Sequence, residues 1–343
     1  MSVPKLPLLL NGCSRSRSRR NKIIVICIFL ISVFLYYNSN AGDLVSFFIL
    51  SDSKALPLSI QCNLGRLGNQ MCTYATLYGL SKLNRRTFIP LSCNLKHLKP
   101  YFQQLSHRES IHQYLYIKWQ SWPILSYFQA QDAAISSHSN FIKGYKYPCS
   151  YTFFDHIQDE LREQFRFTEE LREHAYKVLH TANVNRTNNV TYVGVHVRRG
   201  DYQNRWLNEF GGVAVNMEFF QKAADYFRDK YSPVIFILIS DDREWCIKNL
   251  SERFGFHVAG EASTPAHDLS VLAHCNHTIM TYGTFGFWGA YLAGGEVLYF
   301  DKFLKPNTSF TNNRFIFNKM YPPRWKGLAT VNSSIFNDIT FQE

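Results

Sequence analysis

The residues best suited to chemistry lie together in one short segment, His196-Val-Arg198-Arg199-Gly200-Asp201. Residues two apart in a strand point to the same side, so His196 and Arg198 share one face while Arg199 points away. Guanidinium groups bind phosphate oxygens through paired hydrogen bonds, and a nearby carboxylate can hold one of them in place. The segment therefore predicts a site that stabilises a phosphate leaving group. A purely structural Arg–Asp pair is the alternative.

Two glycine-containing turns extend this prediction. Gly65-Arg66-Leu67-Gly68-Asn69-Gln70 lies between a predicted strand and a predicted helix, where the N–H groups of the helix start can bind an anion. Thr281 and Thr284 flank a second turn and bring hydroxyl donors, while the aromatic residues that follow are expected in the core. Each turn alone is also compatible with an ordinary tight connection, and the sequence contains no Walker-type phosphate loop.

The second half of the chain supplies elements that would position these clusters. Apolar runs predict strands at 192–197, 234–240, 277–282 and 296–300, and they alternate with helices predicted at 217–230, 244–249, 267–275 and 284–293. Asn216 is the expected cap of the first helix. Such alternation indicates a parallel sheet covered on both faces, with functional groups at the carboxyl ends of its strands.

The first half is less regular. Strands are predicted at 56–62 and 87–91 and a helix at 70–82, the charged segment 159–180 is compatible with a helix, and 95–150 has no readable period. The polar stretch 181–191 reads as a link. We therefore expect an α/β protein with two domains, 56–190 and 191–343, that face a cleft.

The net charge of +11 is unevenly distributed along the chain. Residues 1–22 contain six basic residues and no acidic one, so only +5 remains beyond them, too little to indicate a nucleic-acid partner. The uncharged segment 23–37 is short for an average bilayer but suits the thinner membranes of the early secretory pathway. The positive-inside rule places the tail in the cytoplasm and the rest, after a stem at 38–55, in the lumen. We expect a retained signal anchor, and a cleaved signal peptide is the alternative.

Glycosylation sequons and cysteines agree with a lumenal location. The sequence has six sequons beyond the anchor, at Asn185, Asn189, Asn249, Asn276, Asn307 and Asn332. It also has an even set of six cysteines there, Cys62, Cys72, Cys93, Cys149, Cys246 and Cys275. An oxidising compartment permits disulfides between them, while buried free thiols are the alternative for some. The sequence leaves the pairing open.

Three motifs together, GRLGNQM, HVRRGDY and TFGFWGAYLAGG, resemble the α-1,2-fucosyltransferases of the Golgi, as does the closing segment 321–328. The HxRRxD core alone is similar to α-1,6- and protein O-fucosyltransferases as well. The resemblance covers about residues 60 to 328. It implies two Rossmann-like domains in a GT-B-like arrangement, GDP-β-L-fucose as donor, and inversion to an α-1,2 linkage on a terminal β-galactose. It also implies a single-pass type II Golgi membrane protein that needs no metal or other cofactor, and no Asp-x-Asp triplet occurs here.

The resemblance also assigns roles to individual residues. Arg198 would contact the β-phosphate, with Asn69 as the second catalytic residue, while Arg199 would be more structural. His196 and Asp201 would order the loop. The full donor-binding set is Gly65, Arg66, Gly68, Asn69, His196, Arg198, Arg199, Asp201, Asp242, Thr281 and Thr284. Within it, Asp242 is a candidate for ribose or guanine contact.

Some questions stay open at this point. The family more often has Ser-Asn where this chain has Ser240-Asp241. Asp241 and the adjacent Asp242 should point apart rather than form a metal site. The general base is unassigned among Asp201, Glu209, His267 and Asp268. A fucosyltransferase of different linkage or acceptor, and a non-catalytic membrane lectin, are the alternative functions.

Overall fold

The computed structural model of the chain describes residues 57–62, 65–106, 121–124, 141–144, 148–185, 188–202, 205–259, 264–305, 308 and 320–329. The predicted tail, anchor and stem lie outside these residues, as do Asn307 and Asn332. Across the ranges given above, no helix is both long and apolar enough to cross a membrane.

The strands of the described residues form two parallel sheets. The smaller has the order β1-β3-β2, with β1 at Ser59–Ile60, β2 at Ser121–Ile124 and β3 at Phe141–Gly144. The larger has the order β6-β5-β4-β7-β8-β9. Its strands are β4 Thr191–Val197, β5 Val234–Ser240, β6 His257–Val258, β7 His277–Met280, β8 Val297–Phe300 and β9 Lys326–Leu328. This is the doubly wound, Rossmann-type order, in which the chain reverses direction across the sheet between β4 and β7.

Helices separate the strands. The α-helices are α1 Leu67–Leu83, α2 Ser92–Leu95, α3 Gln158–Gln164, α4 Glu169–Ala182, α5 Arg205–Glu209, α6 Met217–Lys230, α7 Arg243–Cys246, α8 Glu252–Phe254, α9 Pro265–Ala273 and α10 Thr284–Ala293. Short 3₁₀ turns occur at Tyr151–Phe153, Asp155–Ile157 and Gly200–Tyr202, and a π-helical turn occurs at Ile247–Ser251. The predicted helices and strands of the second half are confirmed, with ends shifted by a few residues.

Local sequence explains why these elements form. Asn216 caps α6 by accepting a hydrogen bond from the Phe219 backbone N–H at 3.1 Å, as predicted. The same helix buries Phe219, Phe220 and Phe227 on one face, and its other face is polar. By contrast, α10 buries residues on all sides, including the fully buried Trp288, because it packs against both α1 and α9.

Two disulfides lie in the first half of the chain, Cys62–Cys93 and Cys72–Cys149. Cys246 and Cys275 are buried free thiols, so the alternative in which some cysteines stay reduced is correct. The first disulfide holds the segment after β1, and the second fixes α1 to the segment before the turn at Tyr151–Phe153.

The predicted elements are confirmed only in part. The segment 159–180, which was compatible with a helix, is helical but divides into α3 and α4, because Phe165 and Phe167 between them turn into the core. The predicted strand at 87–91 is reduced to a single bridge between Leu58 and Phe88. Strands β2, β3, β6 and β9 were not predicted, since each is short and depends on a partner distant in sequence. The boundary between two domains at residue 190 stays a prediction.

Candidate active site at the carboxyl edge of the larger sheet

The predicted chemical clusters meet where β4 and β7 lie side by side. In open α/β sheets, ligands bind beyond the carboxyl ends of the strands at the point where the strand order reverses. Here β4 and β7 are neighbours at that point. Arg198 follows β4 and Thr281 follows β7, and the Arg198 backbone N–H donates to the Thr281 hydroxyl at 3.0 Å. The topology therefore defines a ligand site at this edge.

The strand register explains how the two arginines are held. His196 pairs with Ile239 and Val197 with Ser240, so continuing the register places Arg198 opposite Asp241 and Arg199 opposite Asp242. Arg198 donates to the carboxylates of both Asp241 and Asp201.

Arg199 binds the other acid of the pair. Its Nε donates to Asp242 at 3.0 Å, and its guanidinium lies 3.5 Å from the centroid of the Trp245 ring. Asp241 and Asp242 therefore bind different arginines, as expected for adjacent acids that point apart. The side chains of Arg198 and Arg199 are only 14% and 16% exposed. Two partly desolvated guanidinium groups are therefore each fixed by a carboxylate near the end of β4.

The loop before α1 joins the same cluster. Arg66, the residue preceding α1, donates from Nη2 to Asp201 at 2.6 Å. Asp201 therefore binds Arg66 with one carboxylate oxygen and Arg198 with the other. The structure therefore brings the segments 65–69 and 196–201 together at the end of β4.

Two helix starts converge beside this cluster. The Thr284 hydroxyl, in the first turn of α10, donates to the Asn69 side-chain oxygen in the first turn of α1 at 2.8 Å. A Cβ added to Gly68 would lie 2.8 Å from the Thr284 backbone, so only glycine permits this approach. Neither helix start has a side-chain cap, and helix N-termini carry partial positive charge. The arrangement adds two favourable dipoles for an anion to the arginines.

Two predicted donor-site residues are buried beneath the surface of the cluster. His196 is 4% exposed, and burial, followed by repulsion from Arg198, lowers the pKa of its imidazole to about 3. Thr281 is fully buried, and its hydroxyl accepts the Arg198 backbone N–H. Both residues therefore support the loop at the end of β4 in this structure.

The candidate general bases lie on different elements and have different partners. Asp268 is buried and ion-paired with Arg243 at 2.8 Å, whereas His267 lies 2.8 Å from the Thr264 hydroxyl through Nδ1. Glu209 ends the short helix α5 and is exposed. Asp201 is already shared between two arginines, so the base stays unassigned.

Three site residues were missed by sequence reasoning. Asp241 was considered as a departure from the family and as one of two adjacent acids, but not as a partner of Arg198, which it contacts directly. Tyr202 stacks on Tyr282 at 5.0 Å between centroids and lies beneath the Arg198 guanidinium. Trp245 supports Arg199. Only the strand register, continued past β4 and β5, could have indicated the first of these.

The described sequons differ in accessibility. Asn185 and Asn189 are exposed on the segment that precedes β4. The Asn249 side-chain amide donates to the Trp245 carbonyl at 2.8 Å, and the Asn276 side-chain oxygen accepts from the Tyr192 N–H at 2.8 Å. Attachment of a glycan is therefore easiest to accommodate at the first two.

A cavity of about 790 Å³ lies away from the arginines, lined by residues that include Val190, Pro233 and His257. These residues stand at the amino ends of β4, β5 and β6, the edge of the sheet opposite to the chemical cluster. Among the residues that the structure describes, no group of three or more His, Cys, Asp and Glu is placed to bind a metal.

The fold and the cluster define the class of the molecule, an α/β protein with arginines and two helix starts at its strand-order reversal. The chain belongs to glycosyl transferase family 11, whose family model matches residues 33–329, and the resemblance read from its motifs is thereby confirmed. It is 38% identical over 272 residues to galactoside 2-alpha-L-fucosyltransferase Sec1 of Mus musculus, covering 77% of this chain and 72% of that protein. It is 37% identical over 273 residues to galactoside alpha-(1,2)-fucosyltransferase 2 of Rattus norvegicus, covering 78% of this chain and 75% of that protein.

Solved structures with a detectable likeness include NodZ alpha-1,6-fucosyltransferase soaked with GDP-fucose. The TM-score is 0.47 at 14% identity, covering 72% of this chain and 95% of that chain. POFUT1 in complex with GDP gives a TM-score of 0.44 at 12% identity, covering 73% of this chain and 99% of that chain.

Proposed function

We propose that this family 11 chain is a galactoside α-1,2-fucosyltransferase that uses GDP-β-L-fucose as donor. It transfers L-fucose to the 2-hydroxyl of a terminal β-galactose, with inversion, and without a metal. The observation that carries the proposal is the convergence of Arg198, Arg66 and two uncapped helix starts at the strand-order reversal of the larger sheet. The curated relatives that match most of the chain are named for the same reaction.

The site chemistry follows from the charge that develops during transfer. As the bond between fucose C1 and the β-phosphate oxygen breaks, negative charge accumulates on the leaving diphosphate. Fixed donors near that oxygen stabilise the transition state more than the ground state. Arg198 is suited to this role because its guanidinium is held on both sides by carboxylates and rests over Tyr202. Asn69 and the first turns of α1 and α10 complete the binding of the diphosphate.

The acceptor contributes its 2-hydroxyl oxygen to the new bond at C1, from the face opposite to the leaving group. The hydroxyl proton passes to a base that is unassigned here, or to solvent once the bond to GDP has largely broken. In this account the donor set includes Gly65, Gly68, His196, Arg199, Asp201, Asp242, Thr281 and Thr284. Those that are buried, such as His196, act by holding the loop.

We also propose that the two sheets belong to two facing domains, 56–190 and 191–343, in a GT-B-like arrangement. The chain is proposed to be a single-pass type II Golgi glycoprotein anchored by 23–37, with its catalytic part lumenal. The basic tail at 1–22 supports this orientation. The disulfides Cys62–Cys93 and Cys72–Cys149 support it independently, because disulfides persist in oxidising compartments.

The test is fucose transfer by the lumenal chain to a panel of β-galactosides, with linkage analysis of the product and a chelator added in parallel. The wild-type chain should form an α-1,2 linkage at an unchanged rate in chelator. Arg198→Ala should lower kcat/KM by at least about 10²-fold, as the loss of one transition-state donor does elsewhere. Arg324→Ala is the matched control, because Arg324 also pairs with a carboxylate, Asp155, but at a different place in the fold.

The outcomes separate the alternatives. A product with another linkage would identify a different fucosyltransferase on the same fold. A chain that binds galactosides but neither binds GDP-fucose nor transfers fucose would be a lectin. Full activity in Arg198→Ala would overturn the mechanism even if the product is the expected one.

A further inference from the structure

Asp241 makes two different contacts with the segment that follows β4. Its Oδ1 accepts the Arg199 backbone N–H at 2.8 Å, and its Oδ2 accepts a hydrogen bond from Nη1 of Arg198. One contact orders the backbone of the segment, and the other occupies the guanidinium. Because the two contacts use different oxygens, they can be separated by mutation.

The approach of Asp241 depends on Gly200. A Cβ added to Gly200 would collide with Oδ2 of Asp241, so a larger residue there would displace this carboxylate from Arg198. The glycine of the HVRRGD segment therefore makes room for a carboxylate from the neighbouring strand end.

The charges of the cluster are balanced before any ligand binds. Its ion pairs join three arginines to three aspartates, Arg66, Arg198 and Arg199 to Asp201, Asp241 and Asp242. Both terminal nitrogens of Arg198 already have a carboxylate partner. A diphosphate that enters this cluster must compete with those carboxylates for the same guanidinium.

We infer that Asp241 is a positioning residue that holds Arg198 in the donor-free chain and yields this arginine to the donor diphosphate. The inference rests on the proposed function, since it assigns Arg198 to the diphosphate. Asp241 is the carboxylate that can yield without loosening the loop, because its second oxygen stays on the Arg199 N–H. Its side chain is 28% exposed, so water can replace Arg198 at the released oxygen.

The two contacts predict different effects for two substitutions. Asp241→Asn keeps one oxygen for the Arg199 N–H but removes the negative charge, and its amide nitrogen cannot accept from Arg198. We expect GDP to bind this variant about two- to fivefold more tightly, the equivalent of one partly exposed ion pair removed from competition. Asp241→Ala also loses the backbone contact, and GDP should bind it about two- to tenfold more weakly than the Asn variant.

The measurement is isothermal calorimetry of GDP with the lumenal chain, accompanied by the donor KM for each variant. Glu296→Gln is the control: Glu296 also accepts from several donors, Tyr226, Tyr231 and Lys230, but stands at the amino end of β8. It should lower the melting temperature and leave the GDP dissociation constant unchanged. A purely structural Asp241 would behave like Glu296, or would weaken GDP binding in both variants.

Tighter binding in Asp241→Asn, with weaker binding in the Ala variant than in the Asn variant, supports the inference. Unchanged or weaker GDP binding in Asp241→Asn overturns it and leaves the proposed function standing. Absence of GDP binding by the wild-type chain overturns the proposed function, and the role of Asp241 with it.

Discussion

Arg66 and Asp201, 135 residues apart in the sequence, are joined by a hydrogen bond of 2.6 Å. The bond links the residue that precedes α1 to the segment that follows β4, and so connects the two halves of the chain at the ligand site. Both side chains are well exposed, at 74% and 51%. Exposed ion pairs contribute little to stability, so we expect this pair to matter for ligand binding rather than for folding.

Arg66→Ala should therefore change unfolding and catalysis differently. We expect the free energy of unfolding to fall by less than about 1 kcal/mol. The donor KM should rise several-fold, because a cation beside the proposed diphosphate is lost. A double-mutant cycle with Asp201→Ala, read from thermal melts and donor KM, measures the coupling. An unfolding loss well above this range, with KM unchanged, would show that the pair is structural.

Thr284→Val tests the contact between the two helix starts. Valine has nearly the shape of threonine but lacks the hydroxyl that orients the Asn69 side chain at 2.8 Å. We expect kcat to fall about tenfold, the equivalent of one well-made hydrogen bond, with only a small change in melting temperature. Thr181→Val is the control, because its hydroxyl bonds only within its own helix, to the Lys177 carbonyl. Equal kcat for the Thr284 variant and the wild type would contradict a role for this contact.

The cysteines should differ sharply in their effect on stability. Removing the Cys72–Cys149 disulfide by Cys72→Ala and Cys149→Ala should cost about 2–5 kcal/mol of unfolding free energy. Cys246 and Cys275 are buried, and burial raises the pKa of the Cys246 thiol to about 11 and that of Cys275 to about 12. In the native chain both should resist alkylation at pH 8, because the thiolate is the reactive form. Mass spectrometry after alkylation, with and without denaturant, checks this assignment.

One buried histidine and three half-buried ones should make the chain sensitive to acid. Burial, followed by Arg198, lowers the pKa of His196 to about 3, and burial also lowers the pKa values of His174, His274 and His277. The unfolded chain therefore binds more protons than the folded one below about pH 6.5. Stability is full above that pH and is lost as the pH falls toward 3, by a few kcal/mol for His196 alone on an order-of-magnitude estimate.

Melting temperatures measured from pH 8 to pH 4.5 check this expectation. His196→Asn should flatten the decrease, whereas the exposed His180→Asn should leave it unchanged. A melting temperature that stays constant between pH 7 and pH 4.5 would contradict the neutral, buried state of His196.

The sequence predicted what depends on local patterns. The apolar runs of β4 and β5, the Asn216 cap and the clusters at strand ends were readable because each signal lies within a few neighbouring residues. The strand ends also predicted where the site lies, since parallel strands bring their carboxyl ends to one edge.

Long-range relationships were not readable in the same way. The divergence of Asp241 and Asp242 was predicted, but their arginine partners follow from the register of β4 against β5. The short strands β2 and β3 carry too few residues for a periodic signal, and their pairing partners are distant in sequence. Disulfide pairing and the Arg66–Asp201 contact likewise depend on the assembled fold.

The last strand of the larger sheet has a consequence for inherited variation. Residues Lys326, Gly327 and Leu328 of β9 cover the free edge of β8, and Trp325 just before them packs on Phe287 of α10 with ring centroids 5.2 Å apart. A premature stop codon between Phe300 and Trp325 leaves every catalytic candidate in the product yet exposes the edge of β8, which invites aggregation. Such late-truncating alleles are expected to be complete loss-of-function alleles, recognised by degraded protein rather than by an altered reaction.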